Sequence, residues 1–452
     1  MSIKKETTKL KPTADQKVIL DDFLDRVDNY PGRTEAVLSA PAGTGKTFTT
    51  AEIIKLLYKD YNIAVTSPTH KANSVIQNML INQAGITKED AKVSTIHSFL
   101  GLKLVQEKNH QVLKHDPHSK LSTTNVDVLI VDECSMISEE LYFHIQNQLH
   151  RVRRAVLYIG DKCQLPPVEA EVIGKEKLSP TFDVSVQYTL TEVLRQAMDN
   201  PVLSVATAIR ECIGTNKDPM HIMVNNTKGH DTITPIDDED LFLNVYKDFI
   251  IENKGNSNKI FDFVNENKIL AYTNMRVNIA NMYIRNQLYD VLDEFVKGEP
   301  IVFESITENS PYSVQQIIQC PRVRKESFMG IDCWQFQLLN GSFIYGVGPS
   351  SRAAMEDHLQ DMVRKIEKKV FNPLTKRPYV WQDYYIIRNK MHIINYPYAT
   401  TVHKSQGSTF DNIWFDTDFI ERIPNNDMKC RILYTAMTRP RYSVMLRQND
   451  YY

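Results

Sequence analysis

Two groups of residues stand out for their chemistry: Gly43-Thr44-Gly45-Lys46-Thr47 and Asp132-Glu133. The first ends the stretch Ser39-Ala40-Pro41-Ala42-Gly43-Thr44-Gly45-Lys46-Thr47. An apolar run, Ala36-Val37-Leu38, precedes that stretch, and apolar residues at helical spacing follow it from Phe48 to Lys59. A strand, a glycine-rich loop ending in Gly-Lys-Thr and a helix form a phosphate cradle, because backbone N–H groups and the helix N-terminus converge on one anion. Ala42 to Phe48 would line it, with Lys46 reaching the β- and γ-phosphates and the Thr47 hydroxyl a ligand for Mg2+. The strict pattern has glycine where this chain has Ala40, and alanine fits if the turn keeps φ negative there. The pattern implies a bound nucleoside triphosphate.

The second group ends an apolar strand, Val126-Asp127-Val128-Leu129-Ile130-Val131. There Asp132 would hold Mg2+ and Glu133 would orient or deprotonate an attacking water. Another strand, Ala155 to Gly160, runs into Asp161-Lys162-Cys163-Gln164. Gln164 is either a γ-phosphate sensor or a polar turn residue. Arg439 ends an apolar helical stretch, Leu433 to Thr438; an arginine delivered to the γ-phosphate from a second domain is worth about a thousandfold or more in hydrolysis rate.

Two further strand ends carry hydroxyl and imidazole groups, Pro68-Thr69-His70 and Thr95-Ile96-His97-Ser98-Phe99. Each reads as a capped turn or as a clamp on phosphate. Gln16 sits in the first turn of a helix that Thr13 can cap, with Val18, Ile19, Phe23 and Leu24 as its apolar face.

The elements that must position these residues come from a globular chain of 452 residues, enough for two to four domains, with 42% hydrophobic content. Its six cysteines form no C-x-x-C pair, which argues against a zinc knuckle or a disulfide framework and for a reducing compartment. No apolar run approaches membrane-spanning length, so a cytoplasmic protein is expected. A net charge of −2 gives no global signature of nucleic-acid binding and leaves a local basic groove open.

Strand-then-helix alternation predicts an α/β fold. Gly101 to Asn125 interrupts it, and its three histidines, His110, His115 and His118, fit no standard metal spacing, so an exposed hairpin insertion is expected. Gly214 to Asp240 is turn-rich and reads as a boundary, after which Lys268 to Asn274 restarts the alternation. Ile301 to Val347 reads as a small barrel, residues 352 to 370 as a helix, and Trp381 to Ile394 as an aromatic and basic stretch. Thr400 to Asp411, containing Thr401, His403, Lys404, Gln406 and Gly407, precedes a strand at Asn412 to Phe415 and a helix from about Asn426.

In this order the blocks from Gln16 to Arg439 resemble those of superfamily-1 DNA helicases of the RecD/Dda-like branch, above all the small Dda-type helicases of T-even-type bacteriophages. The resemblance implies two RecA-like P-loop lobes with parallel sheets, a small hairpin insertion in the first and an SH3-like β-barrel with a helical tower in the second. It divides the chain into a first lobe (1–95 and 126–212) interrupted by a hairpin, the pin (96–125), and a second lobe (213–300 and 392–452) interrupted by barrel and tower (301–391). Gln16 then matches the adenine-reading glutamine, Lys46, Thr47, Asp132 and Glu133 the phosphate, metal and catalytic ligands, and Gln164 the γ-phosphate sensor. Arg195 and Arg439 match the two arginines that reach the triphosphate, and Gln406-Gly407 falls in the nucleotide-binding set. Pro68, Thr69, His70, Thr95, His97, Phe99, Asn274, Thr401, His403 and Lys404 fall where the family holds single-stranded DNA. Phe99 and the aromatics of residues 381 to 398 either stack bases, brace pin against tower or pack a core.

The implied activity is 5′-to-3′ translocation on single-stranded DNA and unwinding of forked duplex, dependent on ATP and Mg2+, in phage replication or recombination. The implied state is a monomer in the host cytoplasm, beside phage single-strand-binding or replisome proteins. The alternative is a translocase that displaces proteins from single strands without opening duplexes. Two departures mark this chain: Ala40, and Pro440 where members usually carry a small residue.

Overall fold

The computed structural model describes residues 11–81, 85–87, 91–107, 110–115, 126–167, 177–192, 200–227, 232–252, 257–289, 293–307, 310, 312–338, 340–372 and 376–447. The chain divides into two compact units. The first comprises residues up to Thr232 together with Gln406–Ser408 and Glu421–Arg439; the second comprises the remainder.

The first unit is built on six strands: β1 (Thr34–Ser39), β2 (Ile63–Ser67), β3 (Ala91–Thr95), β6 (Val126–Val131), β7 (Val152–Gly160) and β8 (Val186–Thr189). Between β3 and β6 lies an antiparallel hairpin, β4 (Leu102–Glu107) and β5 (His110–His115), the insertion expected from the break in alternation. The six strands pair in the order β3-β2-β6-β7-β1-β8, all parallel. They read as near-continuous apolar runs because helices cover both faces. On one face Val65, Ile130, Leu157 and Leu38 pack with Ile19 and Phe23 of helix α1 (Ala14–Asn29) and Ile53 and Ile54 of helix α2 (Lys46–Leu57). On the other, Leu129, Val131, Val156 and Tyr158 pack with Ile96 and Phe99 of helix α4 (Ile96–Leu100) and Leu141 and Ile145 of helix α5 (Glu139–Gln148). Parallel pairing brings the C-terminal ends of β1, β2, β3, β6 and β7 to one edge. The loop at Ser39 to Lys46, Pro68-Thr69-His70, Thr95, Asp132-Glu133 and Asp161 follow from those ends.

The second unit carries β9 (Ile233–Ile236), β10 (Asn267–Ala271), β19 (Ala399–Thr401), β20 (Phe410–Asp416) and β21 (Pro440–Arg447), paired as β19-β10-β20-β21-β9, again all parallel. Between β10 and β19 a second sheet is inserted, of β11 (Pro300–Ser305), β12 (Ile317–Gln319), β13 (Arg322–Phe328), β14 (Ile331–Gln337), β15 (Phe343–Val347) and β18 (Met391–Asn395). Its order is β12-β11-β18-β15-β14-β13, and only β15 and β18 run parallel. Helices Pro349–Glu367 and Trp381–Arg388 pack on it through Met355, Met362 and Ile387, and a short ladder, β16 (Phe371–Asn372) with β17 (Arg377–Pro378), lies between them in sequence. No helix among the described residues is long and apolar enough to cross a membrane.

Two differences from the sequence reading have physical causes. The turn-rich stretch Gly214 to Asp240 holds a helix, Pro219–Thr227, and β9, and β9 accommodates Pro235 because it is an edge strand with β21 as its neighbour. Residues 421–439, expected with the second lobe, group with the first unit, because helix Asn426–Met437 packs against helix Pro201–Arg210. The first unit accordingly extends to Thr232 rather than ending at residue 212.

Gly160 ends β7 against the turn that follows the two carboxylates. A Cβ there would lie 2.7 Å from Cys134 Sγ, 3.1 Å from the Ser135 N and 3.2 Å from the Cys134 N. Gly160→Ala should therefore cost about 1–3 kcal/mol as an overpacking strain. Urea unfolding followed by circular dichroism should show an earlier first transition, partly restored by adding Cys134→Ala; an unchanged midpoint would mean the turn is free to move.

Candidate active site

The loop between β1 and α2 is held from its own backbone outward. Ala40 N–H donates to Gly160 O at 2.8 Å, and Thr44 Oγ1 donates to Pro41 O at 2.7 Å. Gly43 and Gly45 adopt φ of 81° and 82°, a region glycine enters without strain, while Ala40 is not among the positive-φ residues. Alanine is thus compatible with the turn. No side chain caps the N-terminus of α2, so its first N–H groups remain available to an anion. Gln16 is buried and joins the same loop: its Nε2 donates to Thr44 O at 3.2 Å, while its Oε1 accepts from Thr13 N–H at 3.0 Å in a capping box. Thr47 is exposed in the first turn of α2, and Phe48 is partly buried beside it.

Across the sheet edge, Lys46 Nζ lies 2.8 Å from Glu133 Oε1 and 3.5 Å from Asp132 Oδ1. Burial lowers the Lys46 pKa, but the two carboxylates outweigh it and the ammonium is held above its ordinary value. Burial, opposed by Lys46 and reinforced by Glu133, raises Asp132; Glu133 is lowered because Lys46 and Arg439 together overcome its burial. Glu133 sits at φ 53°, a left-handed conformation that a side chain adopts at a cost, and its N–H donates to Asp132 Oδ1 at 2.8 Å. Two acceptors here are buried without a hydrogen-bond partner, Glu133 Oε2 and Gln164 Oε1. The donor set of Thr47 hydroxyl and Asp132 carboxylate suits a hard divalent cation.

Helix Asn426–Met437 supplies the rest. Tyr434 OH accepts from Ala42 N–H at 3.2 Å and donates to Asp161 Oδ2 at 2.6 Å, while Asp161 Oδ1 accepts from Cys163 N–H at 2.9 Å. Thr435 Oγ1 accepts from Leu165 N–H at 3.1 Å, and Gln406 Nε2 donates to Leu165 O at 3.1 Å. The strand-end loop bearing Gln164 is thereby fastened on three sides. Arg439 is buried, with Nε donating to Thr435 O (3.0 Å), Nη1 to Ser408 O (3.2 Å) and Nη2 to Thr438 Oγ1 (2.8 Å). Burial lowers its pKa, and the Glu133 charge opposes that shift. Gly407 has φ 70°, and a Cβ there would come within 3.1 Å of Ala72 Cβ and 3.7 Å of Glu133 Cγ. Lys71, in the same neighbourhood, is pushed down to about 8 by burial and by the charge of Arg439.

Sequence reasoning thus placed Lys46, Thr47, Asp132, Glu133, Gln164, Gln406, Gly407 and Arg439 in one neighbourhood, and missed Tyr434, Thr435 and Lys71. Tyr434 looked like one apolar helix position among several, and no spacing signal marks it. Arg195 lies outside the described residues.

The strand-end threonines share one geometry. Thr69 Oγ1 accepts from Ala72 N–H at 3.2 Å, capping helix α3 (His70–Met79), and Thr95 Oγ1 accepts from Ser98 N–H at 3.1 Å, capping α4. In the second unit Thr273 Oγ1 accepts from Arg276 N–H at 3.3 Å and Thr401 Oγ1 from Lys404 N–H at 3.2 Å. Each cap uses the oxygen as acceptor and leaves the hydroxyl hydrogen for another oxygen. His70 and Asn274 are exposed; Pro68, His97 and His403 are partly buried. Burial, with the neighbouring charges of His70 and His144, pushes His97 down to about 4, so its imidazole is neutral at pH 7. Lys404 Nζ pairs with Glu304 Oε1 at 2.9 Å, and Glu304 Oε2 also accepts from Arg352 at 2.7 Å. Phe99 needs correction as a strand contact: it is 2% exposed within the apolar cluster beneath α4, where its ring is not offered to a base.

Tyr434→Phe removes a hydroxyl that serves Ala42 and the buried Asp161 at once. Nucleotide hydrolysis at saturating substrate should fall about tenfold, and the effect should not add to that of Asp161→Asn, since both break one linkage. Steady-state kinetics of the two single variants and the double variant read this; additive losses would mean the two residues act separately.

Residues 26–170 match the AAA domain family and residues 396–446 the UvrD-like helicase C-terminal domain. The chain is 26% identical over 440 residues to the ATP-dependent DNA helicase dda of Enterobacteria phage T4, covering 90% of this chain and 93% of that protein. It is 29% identical over 198 residues to the ATP-dependent RecD2 DNA helicase of Deinococcus radiodurans, covering 43% of this chain and 24% of that one. In fold it is similar to a Pif1 helicase solved for DNA unwinding at forked duplex, with a TM-score of 0.51 and 15% identity over 97% of this chain and 92% of that one. The chain is thus similar over nearly its whole length to an ATP-dependent DNA helicase of the Dda kind and over part of it to RecD2, and it shares the fold of a Pif1 helicase.

Proposed function

We propose that this chain is an ATP- and Mg2+-dependent helicase that moves 5′ to 3′ on single-stranded DNA and unwinds duplex DNA by coupling hydrolysis to closure of its two lobes. The observation that carries the reading is the buried cluster of Lys46, Asp132 and Glu133, with the unpartnered Glu133 Oε2 and Gln164 Oε1 beside it. Simple nucleotide binding needs no carboxylate with a spare buried acceptor, whereas hydrolysis needs one to hold water.

In this reading the triphosphate draws Lys46 away from Glu133, because its charge outcompetes one carboxylate. Glu133 is then an acceptor in a dry pocket, able to orient the attacking water and take its proton. Arg439 supplies positive charge as it builds on the γ-phosphate oxygens, and Gln164 reads whether that phosphate is present. Thr47 and Asp132 would hold Mg2+, which when bound neutralises phosphate charge. The four capped threonines, two in each unit, can donate to strand phosphates without reading sequence, which suits a motor. If both units grip one strand, closure and opening around the hydrolytic cycle become steps along it. The antiparallel hairpin of β4 and β5 supports duplex opening over bare translocation, since an inserted hairpin can wedge the strands of a duplex apart.

ATPase activity should rise strongly with single-stranded DNA and be lost in Lys46→Ala. Glu133→Gln should retain bound ATP and strand affinity while turning over slower by about a hundredfold or more, the scale of losing a general base; normal turnover in that variant would remove Glu133 from its role. Partial duplexes with matched 5′ and 3′ single-stranded tails test the motor itself. Opening of the 5′-tailed duplex alone supports the polarity, opening from the 3′ tail alone reverses it, and stimulated ATPase with neither opened leaves a translocase.

A further inference from the structure

One carboxylate joins three parts of the second unit that are far apart in sequence. Glu304 lies near the end of β11, its Oε1 accepting from Lys404 Nζ at 2.9 Å and its Oε2 from Arg352 Nη1 at 2.7 Å. Lys404 follows β19 of the parallel sheet, and Arg352 stands near the start of helix Pro349–Glu367. The backbone sets the aim of Glu304. Along the ladder of β11 with β18, Phe303 pairs with Ile394 and Ser305 with Ile393, so Glu304 is the extra residue of a β-bulge. Bulges re-aim a side chain out of the ladder's alternation and recur beside functional sites.

The carboxylate is the least exposed of the three, its side chain 15% exposed against 36% for Lys404 and 46% for Arg352. Burial raises its pKa, but Lys404 and Arg352 outweigh that and hold it below the usual carboxylate range, so it is ionised at pH 7. Arg352 also meets Glu356, its Nε donating to Oε1 at 3.2 Å. Lys404 belongs to a turn with a second use: its N–H donates to Thr401 Oγ1 at 3.2 Å, in one of the capped turns proposed to meet strand phosphates. One anion bridging a lysine and an arginine through two oxygens is also what a phosphodiester, with its two unesterified oxygens, makes of the same cations. A strand phosphate and Glu304 therefore compete for one pair of partners.

We propose that Glu304 is a built-in competitor of the nucleic-acid strand: it occupies Lys404 and Arg352 while no strand is bound, a strand phosphate takes both cations in its place, and Arg352 is thereby a further strand contact. This rests on the reading of the chain as a single-strand motor. A motor must let go of each phosphate that it grips. A carboxylate beside the cations eases that release, because Lys404 and Arg352 pass from phosphate to Glu304 instead of to water.

Glu304→Gln keeps the shape of the side chain and removes the competing charge. With the full chain, fluorescence anisotropy of labelled oligothymidine at fixed salt should show binding tightened by about fivefold, the scale of one partly screened ion pair. The strand concentration that half-saturates ATPase should fall in step. Glu304→Asp, which draws the charge back from both cations, should shift affinity the same way, and Lys404→Ala added to Glu304→Gln should cancel the gain. Arg352→Ala should weaken binding and flatten the plot of log affinity against log salt by about 0.7, the share of one single-strand phosphate. A mere brace for Lys404 predicts the opposite sign at Glu304. Strand-stimulated ATPase with unchanged or weaker binding in both Glu304 variants, or an unchanged salt slope in Arg352→Ala, overturns the competitor alone. ATPase indifferent to single strands overturns the motor reading and this proposal with it.

Discussion

A single lysine facing two buried carboxylates is the interaction on which the rest of the first unit depends. Lys46 lies 2.8 Å from Glu133 and 3.5 Å from Asp132, above strands whose side chains are almost wholly excluded from water. A buried ion pair of this kind contributes little net stability, because desolvation offsets attraction, yet removing one member leaves an uncompensated charge and costs about 3–5 kcal/mol. The two carboxylates are balanced by the positive charges of Lys46 and Arg439, which hold Glu133 below the usual carboxylate range despite its burial; under the proposed function, a polyanion that recruited those cations would leave Glu133 the stronger acceptor. The dry surroundings that make the pair costly also make that effect strong.

Around this cluster the protein places uncharged groups with two hydrogen-bonding faces. Tyr434 accepts from the loop and donates to Asp161, and Gln16 accepts from its own helix start and donates to Thr44. Both tie the phosphate loop to a neighbour through one side chain. Movement of the loop on nucleotide binding must therefore be felt at the start of α1 and at the strand-end loop holding Gln164. Such shared bonds transmit displacement without adding charge to an already crowded site.

Much of this architecture is legible in the sequence, because parallel strands buried on both faces are apolar runs and their C-terminal ends are where polar residues resume. Lys46, Asp132, Glu133 and Gln164 are found that way. Tyr434 is invisible because a helix position that buries a ring looks the same whether or not its hydroxyl is used. Phe99 misled for the converse reason: beside a histidine and two hydroxyls it resembled a base contact, but its register in α4 points it into the core. The assignment of Asn426–Met437 to the first unit depends on packing against a helix more than 200 positions away in sequence, and local pattern carries no trace of that. The threonines are a third case. A capped turn and a phosphate clamp are not rival readings: the structure shows the caps, and a hydroxyl that accepts for a cap still has its hydrogen to donate, so residue types alone do not separate the two.

The departures at Ala40 and Pro440 can be judged on geometry. Ala40 is buried with its N–H committed to Gly160 O, outside the positive-φ region, so the missing glycine costs the loop no strain; the freedom it needs lies at Gly43 and Gly45. Pro440 follows Arg439 at the first residue of β21, opposite Phe410, three residues before the ladder with β20 resumes at Ser443 and four before β9 joins at Val444. Proline is tolerated at the first residue of a strand, and it cannot continue the preceding helix, which ends at Met437 with Thr438 as its cap. With the helix ended there, the guanidinium of Arg439 folds back on Thr435 and Thr438, and the charge is held toward Glu133. Pro440 is therefore compatible with the observed placement of Arg439, since the helix ends before it and the guanidinium is held by groups of the helix's own last turn.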